Sequence, residues 1–377
     1  MANRFLIIMI ALAIAAGAGA IFMLRGEGQS SSNASALGQP LFPQLKVAEV
    51  ARITIADAKG ALNLEKKGDI WTIAERGGFP ADIERVSELV VGALQLKTGQ
   101  SEPIAEKERA RMQLGAPGKG EGAATVVTFK AQDGKTLAEL LVGKKYFKTQ
   151  PEGDVSRAQG DGRFVMLPAD ATRVIVVTDP LKQVTTSASE WVSREGVAMD
   201  NIKSLDVQAG GGGYKLTRES LDAAWVLDGK GGELDPSRAN AVGFSLAKLE
   251  LADVAAPGVD AGLGEGGEIA VTTFDGLAYR IKLGKLDRDR YFAQVTLEGT
   301  PTRPTPAVPA APPGEKPEDK AKREKAPVEE AKKFIDRVAR EKALAPFTVL
   351  IAKSNFERVL SKRDDLLKKE EPKGEKK

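Results

Sequence analysis

The chain opens on one unbroken apolar run and then changes period. From Phe5 to Leu24 (FLIIMIALAIAAGAGAIFML) no charged or strongly polar residue occurs. At about 1.5 Å rise per helical residue this run spans about 30 Å, the thickness of a bilayer core. The pattern predicts a transmembrane signal-anchor over residues 1–25, its apolar body supplied by Phe5, Leu6, Ile7, Ile8, Ile10, Leu12, Ile14, Ile21, Phe22 and Leu24. Ala18-Gly19-Ala20 also fits a signal-peptide cleavage site, which is the second reading, although the apolar run continues through Leu24. Either reading carries the body across the membrane. Arg4 and the amine ahead of the run slightly outweigh Arg25, offset by Glu27, so the amino terminus is expected inside. Residues 26–44 begin GEGQSSSNASALGQP, small and polar, and are expected to form a flexible tether.

Beyond the tether the pattern repeats itself. Ile53-Thr54-Ile55 alternates as a strand, Leu62 to Lys66 follows, and a Lys67-Gly68-Asp69 turn leads into Ile70-Trp71-Thr72-Ile73. Gly77-Gly78 precedes Asp82, an N-cap for a helix carrying Val86, Leu89, Val90 and Leu94 on one face. A second copy runs through Leu205-Asp206-Val207, Tyr214 to Thr217, Trp225-Val226-Leu227 and Gly231-Gly232. Asp235-Pro236 then starts a helix with Val242, Leu246 and Leu249, proline taking the first helical position. Further along, Val126 to Phe129 and Asp133-Gly134 are matched with Val271 to Phe274 and Asp275-Gly276. Leu141 to Lys144 matches Lys282 to Lys285, Arg163 to Met166 matches Arg290 to Ala293, and Val174 to Trp191 matches Val349 to Leu366. The fold expected is α+β: after the transmembrane helix, two tandem duplicated modules of mainly antiparallel sheet with one or two helices each, residues 45–199 and 200–370.

The second copy is interrupted. Residues 299–327 are rich in Pro, Ala, Lys and Glu and are expected to be an extended, disordered, solvated insertion. The second module, broken off at 298, resumes over 328–370 with a charged helix from Glu329 to Ala343 (apolar stripe Phe334, Ile335, Val338, Ala339), a last strand and a last helix. Residues 371–377 form a charged tail, read as disordered.

Composition narrows the chemistry. Among 377 residues there is no His and no Cys, which removes the Ser-His-Asp triad, the Cys-His dyad, thiolate metal sites, disulfides and any imidazole base. A formal charge of +3 is too small to argue for nucleic acid. Gly134-Lys135-Thr136 resembles the end of a phosphate loop, but Phe129 stands where the motif's first glycine belongs; Gly118-Lys119-Gly120 and Gly210 to Gly213 lack a following helix start. No nucleotide site, metal or cofactor is expected. Asp287-Arg288-Asp289-Arg290 alternates in sign and reads as a surface or edge strand. The recurring positions are Trp71 with Trp225, expected in the core, and Gly143 with Gly284, expected to supply a positive φ or a bulge. Lys144 and Lys285 follow those glycines as candidate partner contacts.

The combination of W-x-I at 71–73, GGFPAD at 77–82, LGAP at 114–117 and LLVGKK at 140–145 resembles domain-of-unknown-function family 4340, found in bacterial membrane-anchored proteins. The resemblance covers about 45–298 and resumes near 346–367. It implies a context, ABC transport systems of the gliding-motility type, and no catalytic residues. The expected function is therefore a non-enzymatic accessory subunit of an ABC-type transport or envelope-assembly complex. It would span the bacterial inner membrane once and hold its body in the periplasm. Its expected partners are the membrane and an ABC permease or other envelope proteins. The alternative is an independent periplasmic binding or scaffold module for an envelope polymer or protein.

Overall fold

The structure is a computed structural model and describes residues 37–118, 120–147, 161–210, 212–303 and 306–368. The predicted membrane residues Phe5 to Leu24 and the tail after Lys368 lie outside the described residues. Among those described, no helix is long and apolar enough to cross a membrane.

The first module contains strands β1 (Arg52–Asp57), β2 (Gly60–Lys67), β3 (Ile70–Ile73) and β4 (Phe79–Pro80), then helix α1 (Ile83–Gln95), β5 (Ser101–Pro103) and the one-turn α2 (Glu106–Arg109). It ends with β6 (Thr125–Lys130), β7 (Thr136–Tyr146), β8 (Gly162–Leu167) and β9 (Asp170–Val177). The second contains β10 (Ile202–Ala209), β11 (Gly212–Thr217), β12 (Val226–Leu227), helix α3 (Pro236–Ala247), β13 (Leu251–Val254), β14 (Gly267–Thr273), β15 (Leu277–Asp287) and β16 (Arg290–Gly299). Helix α4 (Pro317–Lys342) and β17 (Thr348–Ala352) complete it.

The duplication is visible in the topology. One antiparallel sheet has the order β4-β3-β2-β1-β6-β7-β8-β9-β5 and the other β12-β11-β10-β14-β15-β16-β17-β13. Apart from β4, each strand of one sheet has a counterpart at the same place in the other. Registers agree residue by residue: Ile53 pairs with Leu64 and Phe129, and Leu205 with Leu216 and Val271. Alternation explains the burial, because Ile53, Ile55, Leu62 and Leu64 all point to one covered face, as do Leu205, Val207, Tyr214 and Leu216. Asp82 and Asp235 cap the two helices as expected, each accepting from the second and third amides after it. The two sheets are separate, yet most of their buried side chains merge into one continuous hydrophobic cluster, with a small second cluster at Leu114, Leu141 and Met166 on the first sheet.

Register also corrects three of the matches. Phe129 corresponds to Val271 and not to Phe274, Val165 corresponds to Ala293, which moves the Arg163 match from Arg290 to Tyr291, and Ile175 rather than Val174 corresponds to Val349. A slip of one residue exchanges the faces of a strand, so alignment by residue likeness alone misplaces side chains. Asp287 to Arg290 is not an edge strand but the hairpin tip between β15 and β16, with Arg288 at φ 56°.

Three further expectations change. The end of the tether is bound to the body: the Gly38 and Leu41 amides donate to Thr98 and Leu96, and Leu41 and Leu45 are buried. Leu41 and, just beyond the tether, Leu45 join the main core cluster, with Phe42 packed against it, so apolar burial holds this end of the tether down. The insertion is only partly extended, since α4 starts at Pro317 and runs through Pro327. A proline inside a helix normally breaks it. Here Pro327 is itself buried in line with Phe334, Val338 and Glu341 on the covered face of α4, and that packing offsets the lost amide bond. Finally, the predicted last helix is a pair of short 3-10 turns, Lys353–Asn355 and Arg363–Leu366. The insertion therefore sits in the β16–β17 connection, whose counterpart in the first module is the tight β8–β9 turn closed by Leu167 and Asp170.

Candidate functional site

The recurring residues keep their equivalence and divide in environment. Leu64 pairs with Ile73 and Leu216 with Leu227, so Trp71 and Trp225 occupy the same station beside the same strand. Trp71 is 8% exposed. Trp225 is half-buried just ahead of β12, with Gly243 of α3 against one edge and the Arg218 guanidinium 4.5 Å from its ring centroid. Gly143 and Gly284 again correspond, and each lies at a register shift, between Val142 and Lys145 and between Leu283 and Leu286. The bulge is as expected; the positive φ is not, since neither glycine has one. What excludes a side chain is a crossing backbone. A Cβ would lie 2.3 Å from the Met112 carbonyl oxygen at Gly143 and 2.1 Å from the Ala261 carbonyl oxygen at Gly284. Lys144 and Lys285 are both exposed; Lys285 is paired with Asp260, which raises the lysine and lowers the aspartate from their ordinary values through their hydrogen bond. The structure does not bring the two lysines together with a cavity.

The densest group of charged side chains was not singled out by sequence. It lies where the C-terminal half of α4 crosses the segment joining the two modules. The Arg303 guanidinium makes a two-pronged bond to Asp275 (3.0 and 2.8 Å) and the Asn201 amide donates to the same carboxylate (3.0 Å). Arg337 reaches Asp200 at 2.6 Å. Phe334 has the Arg303 and Arg337 guanidinium carbons 4.1 and 5.2 Å from its ring centroid. Glu341, 1% exposed, accepts from the Ala198 amide (2.9 Å) and the Tyr279 hydroxyl (2.9 Å). Burial pushes the Glu341 carboxyl up despite those donors, and pushes the Tyr279 hydroxyl up as well, helped by the neighbouring carboxylate. Burial alone would raise Asp275, but Arg303, Asn201 and Arg337 outweigh it and hold this carboxyl below its usual value.

This arrangement ties α4 to the joining segment and to the second sheet. Every carboxylate in it is already committed to a guanidinium, amide or hydroxyl donor. Further ties join the modules directly. Arg76 grips Asp253 with two bonds of 3.0 Å, and Phe79 meets Phe347 edge-on at 5.0 Å. The joining segment itself pairs on both sides, Val192 with Ala81 and Val197 with Leu249. The one sequence signal for the cluster was helix phase, since Glu341 continues the Phe334–Val338 stripe at helical spacing. Its partners come from residues 198 to 303, too dispersed to be read as a motif.

Shallow grooves lie elsewhere on the described surface. One, of about 370 Å³, lies at the end of α1 between Lys97, Asp179 and Lys182. Another, of about 350 Å³, lies on the second sheet among Lys203, Ser204, Thr217, Arg218 and Thr272. Among the described residues no group of three or more carboxylates is placed to hold a metal ion. A family model described as Domain of unknown function (DUF4340) matches residues 71–266, a little over half of the chain. Neither a curated protein nor a solved structure matches.

Proposed function

Since the chain belongs to domain-of-unknown-function family 4340, whose description names no activity, we propose from its architecture that it is a non-enzymatic, membrane-anchored accessory subunit of an ABC-type transport or envelope-assembly complex. The 5–24 segment would hold it in the bacterial inner membrane, and the body would bind protein partners in the periplasm. One observation carries this reading: two copies of one sheet topology are locked into a single body by Arg76–Asp253, Phe79–Phe347 and the α4 cluster. A body with its two related faces fixed in advance loses little conformational freedom on binding an extended partner. The charged residues brought together at the junction serve that fixation.

The alternative, an independent binding module for an envelope polymer, is favoured by the hydroxyl-lined groove of the second sheet. Purification of the tagged full-length chain from cross-linked native membranes separates the two. Recovery of an ABC permease with its ATPase supports the accessory role. Recovery of polymer-synthesis proteins without a transporter overturns it in favour of the alternative.

A further inference from the structure

The two modules offer an internal control, because the same station on the outer face of each sheet is furnished differently. In the first sheet Arg52 stands opposite Glu65, and the two form an ion pair at 3.3 Å across that station. In the second sheet the corresponding pair is Ser204 opposite Thr217. Two long charged side chains are thus replaced by two short hydroxyls, and a groove of about 350 Å³ lies there. Ser204 is bonded to the Thr272 hydroxyl at 2.6 Å, so hydroxyls from three adjacent strands line its floor.

Two cations border the groove and neither has an ion pair among the described residues. Lys203 stands over the Phe274 ring at 5.9 Å. Arg218 is held rigidly, its Nε donating to the Ile202 carbonyl (2.7 Å), its Nη1 to the Leu221 carbonyl (2.9 Å), and its plane lying on Trp225. Burial lowers the Arg218 guanidinium from its ordinary value, with Asp222 opposing from a distance. A partly desolvated cation without a contacting carboxylate gains most from an anion that brings its own counter-charge. Neighbouring hydroxyls both donate and accept, which suits a polyol more than an apolar ligand. An open, shallow groove fits one unit of a longer molecule, whereas a drug-like ligand needs enclosure.

We propose that this groove binds an anionic sugar unit, its carboxylate or phosphate directed to Lys203 and Arg218 and its hydroxyls to Ser204, Thr217 and Thr272. The site does not depend on the accessory-subunit reading.

The test is ligand-observed saturation-transfer NMR on the purified full-length chain, with glucuronate, glucose 6-phosphate, glucose and inorganic phosphate as probes. Both acidic sugars should bind at least about tenfold more tightly than glucose, the value of one charge-assisted hydrogen bond. Installing the first module's pair, Ser204→Arg with Thr217→Glu, should abolish that binding by filling the groove. Lys203→Gln, an exposed change that leaves the fold alone, should weaken it about tenfold. Binding that persists in the double variant, or equal binding of glucose and glucuronate, overturns the site, as does silence from every probe. Inorganic phosphate binding as well as glucose 6-phosphate would overturn the sugar assignment and leave a bare oxyanion contact.

Discussion

At the scale of single residues, equivalence in the repeat does not mean equivalence in energy. Trp71 and Trp225 hold the same register, but the first is enclosed by apolar neighbours and the second is roofed by Arg218. Trp71→Ala is expected to cost about 3–5 kcal/mol, as for a large buried side chain. Trp225→Ala is expected to cost about 1–2 kcal/mol, because its ring is only partly buried and the stacked cation is retained by two carbonyls. Thermal melting of the two variants checks this, and equal losses would place both rings in the core. The tryptophans were legible in the sequence as a recurring pair. Their different surroundings were not, because Gly243 and Arg218 reach Trp225 from other elements.

At the scale of elements, α4 is legible in the sequence only in its second half. The stripe of Phe334 and Val338 reads as a helix from Glu329, while the prolines ahead of it read as a solvated loop; burial of Pro327 together with Phe334, Val338 and Glu341 shows one docked helix from Pro317. Propensity is a local property and docking is not, so packing overrides the prolines. The docking carries a pH signature. Glu341 has its carboxyl raised by burial, so the folded state favours the protonated form; the stability it lends is complete below the ordinary glutamate range and is lost as pH rises through the raised value. Asp275 acts in the opposite sense: held low by Arg303, it stabilises above the ordinary aspartate range, and that stability is lost as pH falls. Glu341→Gln keeps one acceptor oxygen for the Ala198 amide and turns its NH2 to the Tyr279 hydroxyl, which can accept from it and donate to the Ala198 carbonyl instead, without the desolvated charge. Its melting temperature is therefore expected to exceed wild type at about pH 8 and to match it at about pH 5. Identical pH profiles for the two proteins would show that Glu341 does not titrate against folding.

At the scale of the whole molecule, the junction decides whether there are two domains or one. The sheets share no strand, yet one cluster takes core residues from both and the joining segment pairs with both modules. Calorimetry of the wild-type chain is expected to give one cooperative transition. Phe79→Ala combined with Arg76→Ala removes the edge-on ring contact and the two-pronged ion pair, and is expected to split that transition into two. A single transition in the double variant would mean that the joining segment and α4 suffice to couple the modules.

The repeat, its strands, both aspartate helix caps and the exclusion of imidazole and thiol chemistry were all determined by the sequence, because alternation, capping and composition are local or countable properties. The common strand order, with the last strand of each chain half lying next to the short strand that follows the helix, was decided only in three dimensions. The same holds for the Glu341–Tyr279 and Arg76–Asp253 contacts, which join residues 62 and 177 positions apart. The groove at Ser204 and Thr217 required both sources. The residues are unremarkable in the sequence, and they acquire meaning once the sheet register sets them on the station that Arg52 and Glu65 fill in the other module. The physical reason is that hydrogen-bond register converts a one-dimensional likeness into a position on a surface, and ligands meet the surface.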